Sequence, residues 1–324
     1  MATKPLSHLI DELIWADGVK RNGGELDYLR ALHYRSSLQL LSLFLHVNNP
    51  TLKFRLSSIW LDKFPICRPL QNSGCNTDAR ELGDLGIVIR GQVKGGTYIR
   101  FRILQGKIVT PSWEKKGKSP QEIELYQKCP AFDLYTSAHR TAVHLGQFDL
   151  NNKSNGFNFL PYKPNVFPFW SFLMFEPASF NSSSSTYSPI TLQWDSNSSC
   201  IMSYSDSIQA MVLNLSANTY EHGARVDQNT THTSWRELFW TLWRHSGRSI
   251  GKGKLSGGPW RNNVTRFCKT PDIHINSAIK DQFNKGMHDE GFRPPPKDNE
   301  PIHSDEDERS GINWIIIDVF GEHD

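Results

Sequence analysis

The chain has 324 residues, 38% of them hydrophobic and 21% charged, with a formal net charge of +3 and a negative mean hydropathy. That composition belongs to a globular protein of one large or two ordinary domains and excludes a disordered or membrane-embedded chain. No stretch is long and apolar enough to span a bilayer, and MATKPLSHLIDELIWADG at the start carries carboxylates where a signal peptide has its apolar core, so the expectation is a cytoplasmic protein with no membrane partner. Five scattered cysteines without a CxxC pair or a Cys/His cluster indicate neither a disulfide framework nor a zinc site.

In chain order, NGG at 22–24 reads as a turn, and ELDYLRALHYRSSLQLLSLFLHV after it predicts one long helix that ends before Asn48-Asn49-Pro50. Its buried face would include Leu29, Leu32, Leu40, Leu43 and Leu45. FRLSSIWLDKF is mixed, with a helix as one expectation, and Pro65, Pro69 and Gly74 mark irregular chain. LGIVIRG and YIRFRILQGKIV, joined by the glycine-rich QVKGG, predict a β-hairpin. SPQEIELYQKC predicts a helix stopped by Pro130 and followed by a strand-like segment.

From 157 to 215 aromatic and β-branched runs (VFPFWSFLMFEP, SPITLQWD, SCIMSYSD, IQAMVLNL) predict further strands or buried segments between serine-rich loops. SWRELFWTLWRHSG predicts a helix with Ser234 and Glu237 as a capping box and Gly247 at its end. A mobile polar, proline-rich loop is expected over 286–311, and INWIIIDVF reads as a final strand that must dock to bury its isoleucines. The expected organisation is an α/β core over 1–150 and a mixed α/β second lobe over 151–324.

Chemistry concentrates on the hairpin. Side chains alternate along a strand, so Gln105 and Lys107 project together with Gly106 between them. Asp84 opens the partner strand and Glu81 shortly precedes it, so the hairpin can gather all four side chains. Hard divalent cations, Mg²⁺ or Mn²⁺, take oxygen ligands. Asp84, the Gln105 amide oxygen and the Gly106 carbonyl can supply them, with Glu81 as a further carboxylate. Lys107 would orient or deprotonate water and stabilise charge on a scissile phosphate.

Here the chain resembles the PD-(D/E)XK nuclease superfamily, in which a long helix precedes a strand bearing Asp and a following strand bearing Glu-x-Lys, Asp-x-Lys or Gln-x-Lys. The matching residues are Asp84 in ELGDLGIVIR and Gln105-Gly106-Lys107 in ILQGK, with Glu25 as a candidate for the helix carboxylate that some members use. Gly83 stands in place of the proline of the family name, and Gln105 in place of a carboxylate. The phrase is similar to nuclease-like proteins of prokaryotic defence against phages and plasmids. The resemblance implies a restriction-endonuclease-like core, a mixed sheet flanked by helices, with additional strands and a helix in the second half.

It also implies metal-dependent hydrolysis of nucleic-acid phosphodiesters, DNA in preference to RNA. The alternative is a catalytically inactive nucleic-acid-binding or scaffold subunit acting with other defence subunits.

Elsewhere the residues carry less. Lys252, Lys254 and Arg261 in the basic, glycine-rich 252–266 form a candidate contact with a nucleic-acid backbone, without the spacing of a phosphate-binding loop. His139 and His144 are five apart, which serves neither a helix face nor a strand face as a metal pair. The helical spacing of Trp235 and Trp243 makes them core residues before base-stacking ones.

Overall fold

Three helices come first, and the stretch expected as one long helix forms two of them. The computed structural model describes residues 4–21, 23–59, 65–71, 75, 78–93, 96–109, 125, 130–136, 142–150, 170–177, 188–193, 202–218, 222–230, 233–251, 266–269 and 312–321. Helix α1 spans Leu6–Val19, α2 Glu25–Leu32 and α3 Arg35–Asn48. The break falls at Tyr34, whose φ of −70° and ψ of 149° are extended and interrupt the i→i−4 ladder. Each short helix then turns its own apolar face inward: Tyr28, Leu29, Ala31 and Leu32 from α2, and Leu38, Leu41, Phe44 and Leu45 from α3. With that rotation Leu43, expected inside, is 53% exposed.

FRLSSI is a strand, not a helix: β1 covers Lys53–Ile59. Its alternation explains this, since Phe54 and Leu56 enter one core while Arg55 between them reaches Asp318 on the neighbouring strand. The expected hairpin is present as β4 (Leu85–Val93) and β5 (Gly96–Ile108), antiparallel and paired along their length. Between them and β1 come β2 (Ile66–Pro69) and β3 (Arg80–Glu81). After them come β6 (Phe132–Tyr135), β7 (His144–Phe148), β8 (Trp170–Phe175), β9 (Ile190–Gln193) and β10 (Met202–Ser203).

Helix α4 (Tyr204–Leu213) follows, where the sequence suggested a strand or buried segment. Ser203 begins it: its hydroxyl accepts from the Asp206 backbone N–H at 3.0 Å and donates to the Asp206 carboxylate at 2.7 Å. Strand β11 (Ala224–Arg225), helix α5 (Thr233–Gly251), strand β12 (Arg266–Lys269) and strand β13 (Asn313–Phe320) complete the described elements. The helix expected from SPQEIELYQKC lies outside the described residues except at Leu125, as does the loop expected over 286–311.

The fold is α/β. A nine-stranded mixed sheet runs β10-β9-β8-β5-β4-β13-β1-β12, with β11 beside the first half of β5. β13 docks at its centre, parallel to β4 and antiparallel to β1, which buries its isoleucines on both faces. Strands from both sides of residue 150 therefore share one sheet. Helices α1–α4 cover one face over a core that includes Leu29, Leu85, Leu104 and Ile315. Helix α5 and a second sheet, β3-β2-β6-β7, cover the other over a core of Phe101, Phe132, Trp235 and Trp314. Trp235 is thus a packing residue, 1% exposed, and Trp243 meets Trp314 edge to face at 5.4 Å. Among the described residues no helix is long and apolar enough to cross a membrane.

Candidate active site

Asp84 occupies the bend that leads into β4. Its backbone N–H donates to the Leu104 carbonyl at 2.9 Å, and Leu85 stands opposite Leu104, so the hairpin sets Asp84 beside Gln105. The Gln105 amide Nε2 donates to Asp84 Oδ2 at 2.5 Å, and the Gly106 backbone N–H donates to the same oxygen at 2.7 Å. Both side chains are buried, Asp84 at 3% and Gln105 at 1% exposure. Because both bonds fall on Oδ2, Oδ1 is the oxygen through which Asp84 can meet a ligand. A strand residue points its N–H and C=O to the same side, so the Gly106 carbonyl is turned toward Asp84 as well.

Gly106 has a second function. A Cβ there would lie 3.1 Å from Leu29 Cδ1 and 3.2 Å from Cδ2, so its missing side chain is what lets α2 lie against β5 at this point. Leu29 sits one helical turn after Glu25, the first residue of α2. Docking the helix on Gly106 brings that carboxylate to the hairpin.

The electrostatics tie the group together. Burial raises the Asp84 pKa well above its ordinary value, and the carboxylates of Glu25 and Glu81 raise it further, while the Gly106 N–H and the Lys107 ammonium pull it down. Glu81 is the exposed end of β3, and Lys107 is half-buried on β5, on the strand face it shares with Gln105. Glu25, Glu81, Asp84, Gln105 and Lys107 therefore gather around one hairpin end. Lys252, Lys254 and Arg261 lie outside the described residues.

Among the described residues, no three carboxylate, imidazole or thiol groups converge tightly enough to cage a cation by themselves. The donor set nonetheless fits a hard, oxygen-seeking ion. Mg²⁺ commonly takes one or two carboxylates and leaves its other positions to waters and phosphate oxygens. Asp84 Oδ1, the Gly106 carbonyl, the Gln105 amide oxygen and one of Glu25 or Glu81 are of that kind, and the mutual repulsion of the carboxylates is what a cation would relieve. The arrangement otherwise offers a clamped carboxylate, an ammonium group and two rim carboxylates, the components of acid–base or phosphoryl chemistry.

The neighbourhood of Glu25 and Asp84 depends on the Leu29–Gly106 contact, which no residue pattern announces. No protein-family profile, curated protein or solved structure matches the chain.

Proposed function

We propose that this chain is a metal-dependent nuclease with a restriction-endonuclease-like core, hydrolysing nucleic-acid phosphodiester bonds in a cytoplasmic defence role. One observation carries the reading: the Asp84 carboxylate, hydrogen-bonded by Gln105 and Gly106, shares a hairpin end with Lys107 and the carboxylates of Glu25 and Glu81. Asp84, Gln105 and Glu81 are the proposed metal-holding side chains, with Glu25 beside them. A bound Mg²⁺ or Mn²⁺ would supply Lewis acidity at the phosphate and lower the pKa of a coordinated water.

The chain's own groups account for the remaining work. The two N–H donors hold Asp84 in one orientation, so the carboxylate does not have to reorganise when substrate arrives. The Lys107 ammonium, beside Asp84, faces the negative charge that develops on the phosphate oxygens and the attacking water. The burial of Asp84 and Gln105 strengthens both interactions by excluding solvent.

Purified protein should cleave DNA, or RNA, only with Mg²⁺ or Mn²⁺. Asp84→Ala and Lys107→Ala should each lower the rate by at least about 100-fold, the scale of losing a charge-stabilising group, with unchanged circular dichroism. Full cleavage by either folded variant would refute the assignment.

A second reading rests on the same hydrogen bond. Gln105 and Asp84 satisfy each other without a cation, so the site is also suited to a non-catalytic subunit that binds nucleic acid or defence partners. Chelator-indifferent binding with no cleavage of any substrate would select it.

A further inference from the structure

The small sheet carries a row of side chains that ends at the candidate active site. Its antiparallel register sets Ile66 opposite both Glu81 and Tyr135, and Tyr135 opposite His144. Glu81, Ile66, Tyr135 and His144 therefore cross β3, β2, β6 and β7 on one face, over about 14 Å at the usual strand spacing. A second row on the same face holds Arg68, Asp133 and Gln147. The opposite face buries Cys67, Phe132, Leu134 and Phe148 in the core, which turns these rows outward. Glu81, His144 and Gln147 are exposed, Arg68, Asp133 and Tyr135 are half-buried, and Ile66 between Glu81 and Tyr135 is buried, 8% exposed.

Three of these side chains form a series of flat groups in contact. The Arg68 guanidinium carbon lies 4.8 Å from the centre of the Tyr135 ring, and the His144 ring meets Tyr135 at 5.2 Å, tilted by 52° rather than stacked. A guanidinium over an aromatic ring is a stack to which a nucleobase adds as the next layer, and a four-stranded sheet of this kind can hold two or three unpaired bases. Duplex bases keep their faces covered by their neighbours and have none to offer.

Charge argues for stacking over phosphate capture. Asp133 accepts from His144 Nε2 at 3.1 Å and from Gln147 Nε2 at 3.4 Å, so its carboxylate offsets part of the positive charge that Arg68 brings to this face. The row also has a direction. It ends on Glu81, three residues before Asp84 and near enough to shift its pKa.

We propose that the Arg68–Tyr135–His144 face is a stacking platform for single-stranded nucleic acid, which it leads across Glu81 toward Asp84 and Lys107. The destination of the strand rests on the nuclease reading; the binding does not. The test is fluorescence anisotropy of the full chain with labelled oligothymidylate, oligouridylate and a duplex of equal length, in chelator so that nothing is cut.

Both single strands should bind at least tenfold tighter than the duplex. Tyr135→Ala should weaken binding by roughly 5- to 100-fold, the range of one lost base stack, while Tyr135→Phe retains it.

Equal duplex binding, or Tyr135→Ala binding like the wild type, overturns the platform. The two readings fail separately. Loss of cleavage in Lys107→Ala with Tyr135-independent binding removes the platform alone, and Tyr135-dependent binding with cleavage indifferent to Lys107 removes the nuclease alone.

Discussion

Replacing Asp84 by asparagine should stabilise the protein above the ordinary carboxylate range while removing cleavage. Asparagine keeps an oxygen to accept from the Gln105 amide and the Gly106 N–H, the two donors now on Oδ2. Its NH₂ group then stands where Oδ1 was and carries no charge, which removes the repulsion from the carboxylates that raise the Asp84 pKa.

The pH dependence follows from linkage. In the unfolded chain the Asp84 carboxyl ionises near pH 4, whereas burial, Glu25 and Glu81 hold its proton to higher pH in the folded chain. The stability contributed by a group whose folded pKa is raised is fully present below the unfolded pKa and is lost as pH rises through the folded one. The loss runs at up to about 1.4 kcal/mol per pH unit while only the unfolded form is ionised. Urea unfolding at pH 4, 5, 6 and 7 should show the variant equal to wild type at the lowest pH and increasingly ahead as pH rises toward the folded pKa.

Millimolar Mg²⁺ should narrow that gap, because binding to the native carboxylate stabilises wild type alone by RT ln(1 + [Mg²⁺]/Kd). A gap that does not change with pH, or a variant less stable throughout, would refute the placement of Asp84 beside the Glu25 and Glu81 carboxylates.

Three further outcomes are expected. Asp318 is fully buried on β13 and accepts from Arg55 on β1, through Nε at 2.6 Å, and from Arg90 on β4; Asp318→Ala should lower urea-measured stability by about 3–5 kcal/mol, because it strands two guanidinium groups in the sheet. Gly106→Ala should cost about 1–3 kcal/mol by forcing a Cβ to 3.1 Å from Leu29 Cδ1, and Leu29→Ala should relieve part of it, so thermal unfolding of the double variant should fall short of the summed losses by about 1 kcal/mol. Glu176 is 1% exposed, with both carboxylate oxygens lacking a hydrogen-bond partner among the described residues, and burial foremost pushes its pKa up to about 7. Its stabilising contribution is present below about pH 4.5 and lost as pH rises to 7, so Glu176→Gln should gain on the order of 1–3 kcal/mol at pH 8 and nothing at pH 4.

The hairpin was legible because two signals coincide there, a glycine-rich turn and strands apolar enough to be buried on both faces. The final strand was legible for the second reason, but its partner was not: nothing in INWIIIDVF says that it lies between β1 and β4, since parallel pairing joins residues more than two hundred positions apart. Helix α4 had a local signal that hydrophobic content obscured. Ser203 and Asp206 are a cap spaced as S-x-x-D, and β-branched residues nearby drew the reading toward strand. The division of the long helix at Tyr34 left only a weak mark, because aromatic residues disfavour a helix by a few tenths of a kcal/mol, and tertiary packing of two faces decides the matter.

The same distinction separates what could be read of the candidate site. Asp84 and Gln105 meet because a hairpin has one register and side chains alternate, both properties of the local sequence. Glu25 arrives by a different route, through the break at Tyr34 that frees α2 and the absent side chain at Gly106 that seats it.

Gln105 then acquires a physical reason. A carboxylate at that position would place a second negative charge 2.5 Å from Asp84 Oδ2, in a site where burial and two neighbouring carboxylates already oppose ionisation. The amide substitutes a hydrogen bond for that repulsion, so Asp84 is oriented before any cation arrives. The negative charge that a cation needs is thereby shifted outward to Glu25 and Glu81, and the site exchanges metal affinity at its centre for a preorganised carboxylate.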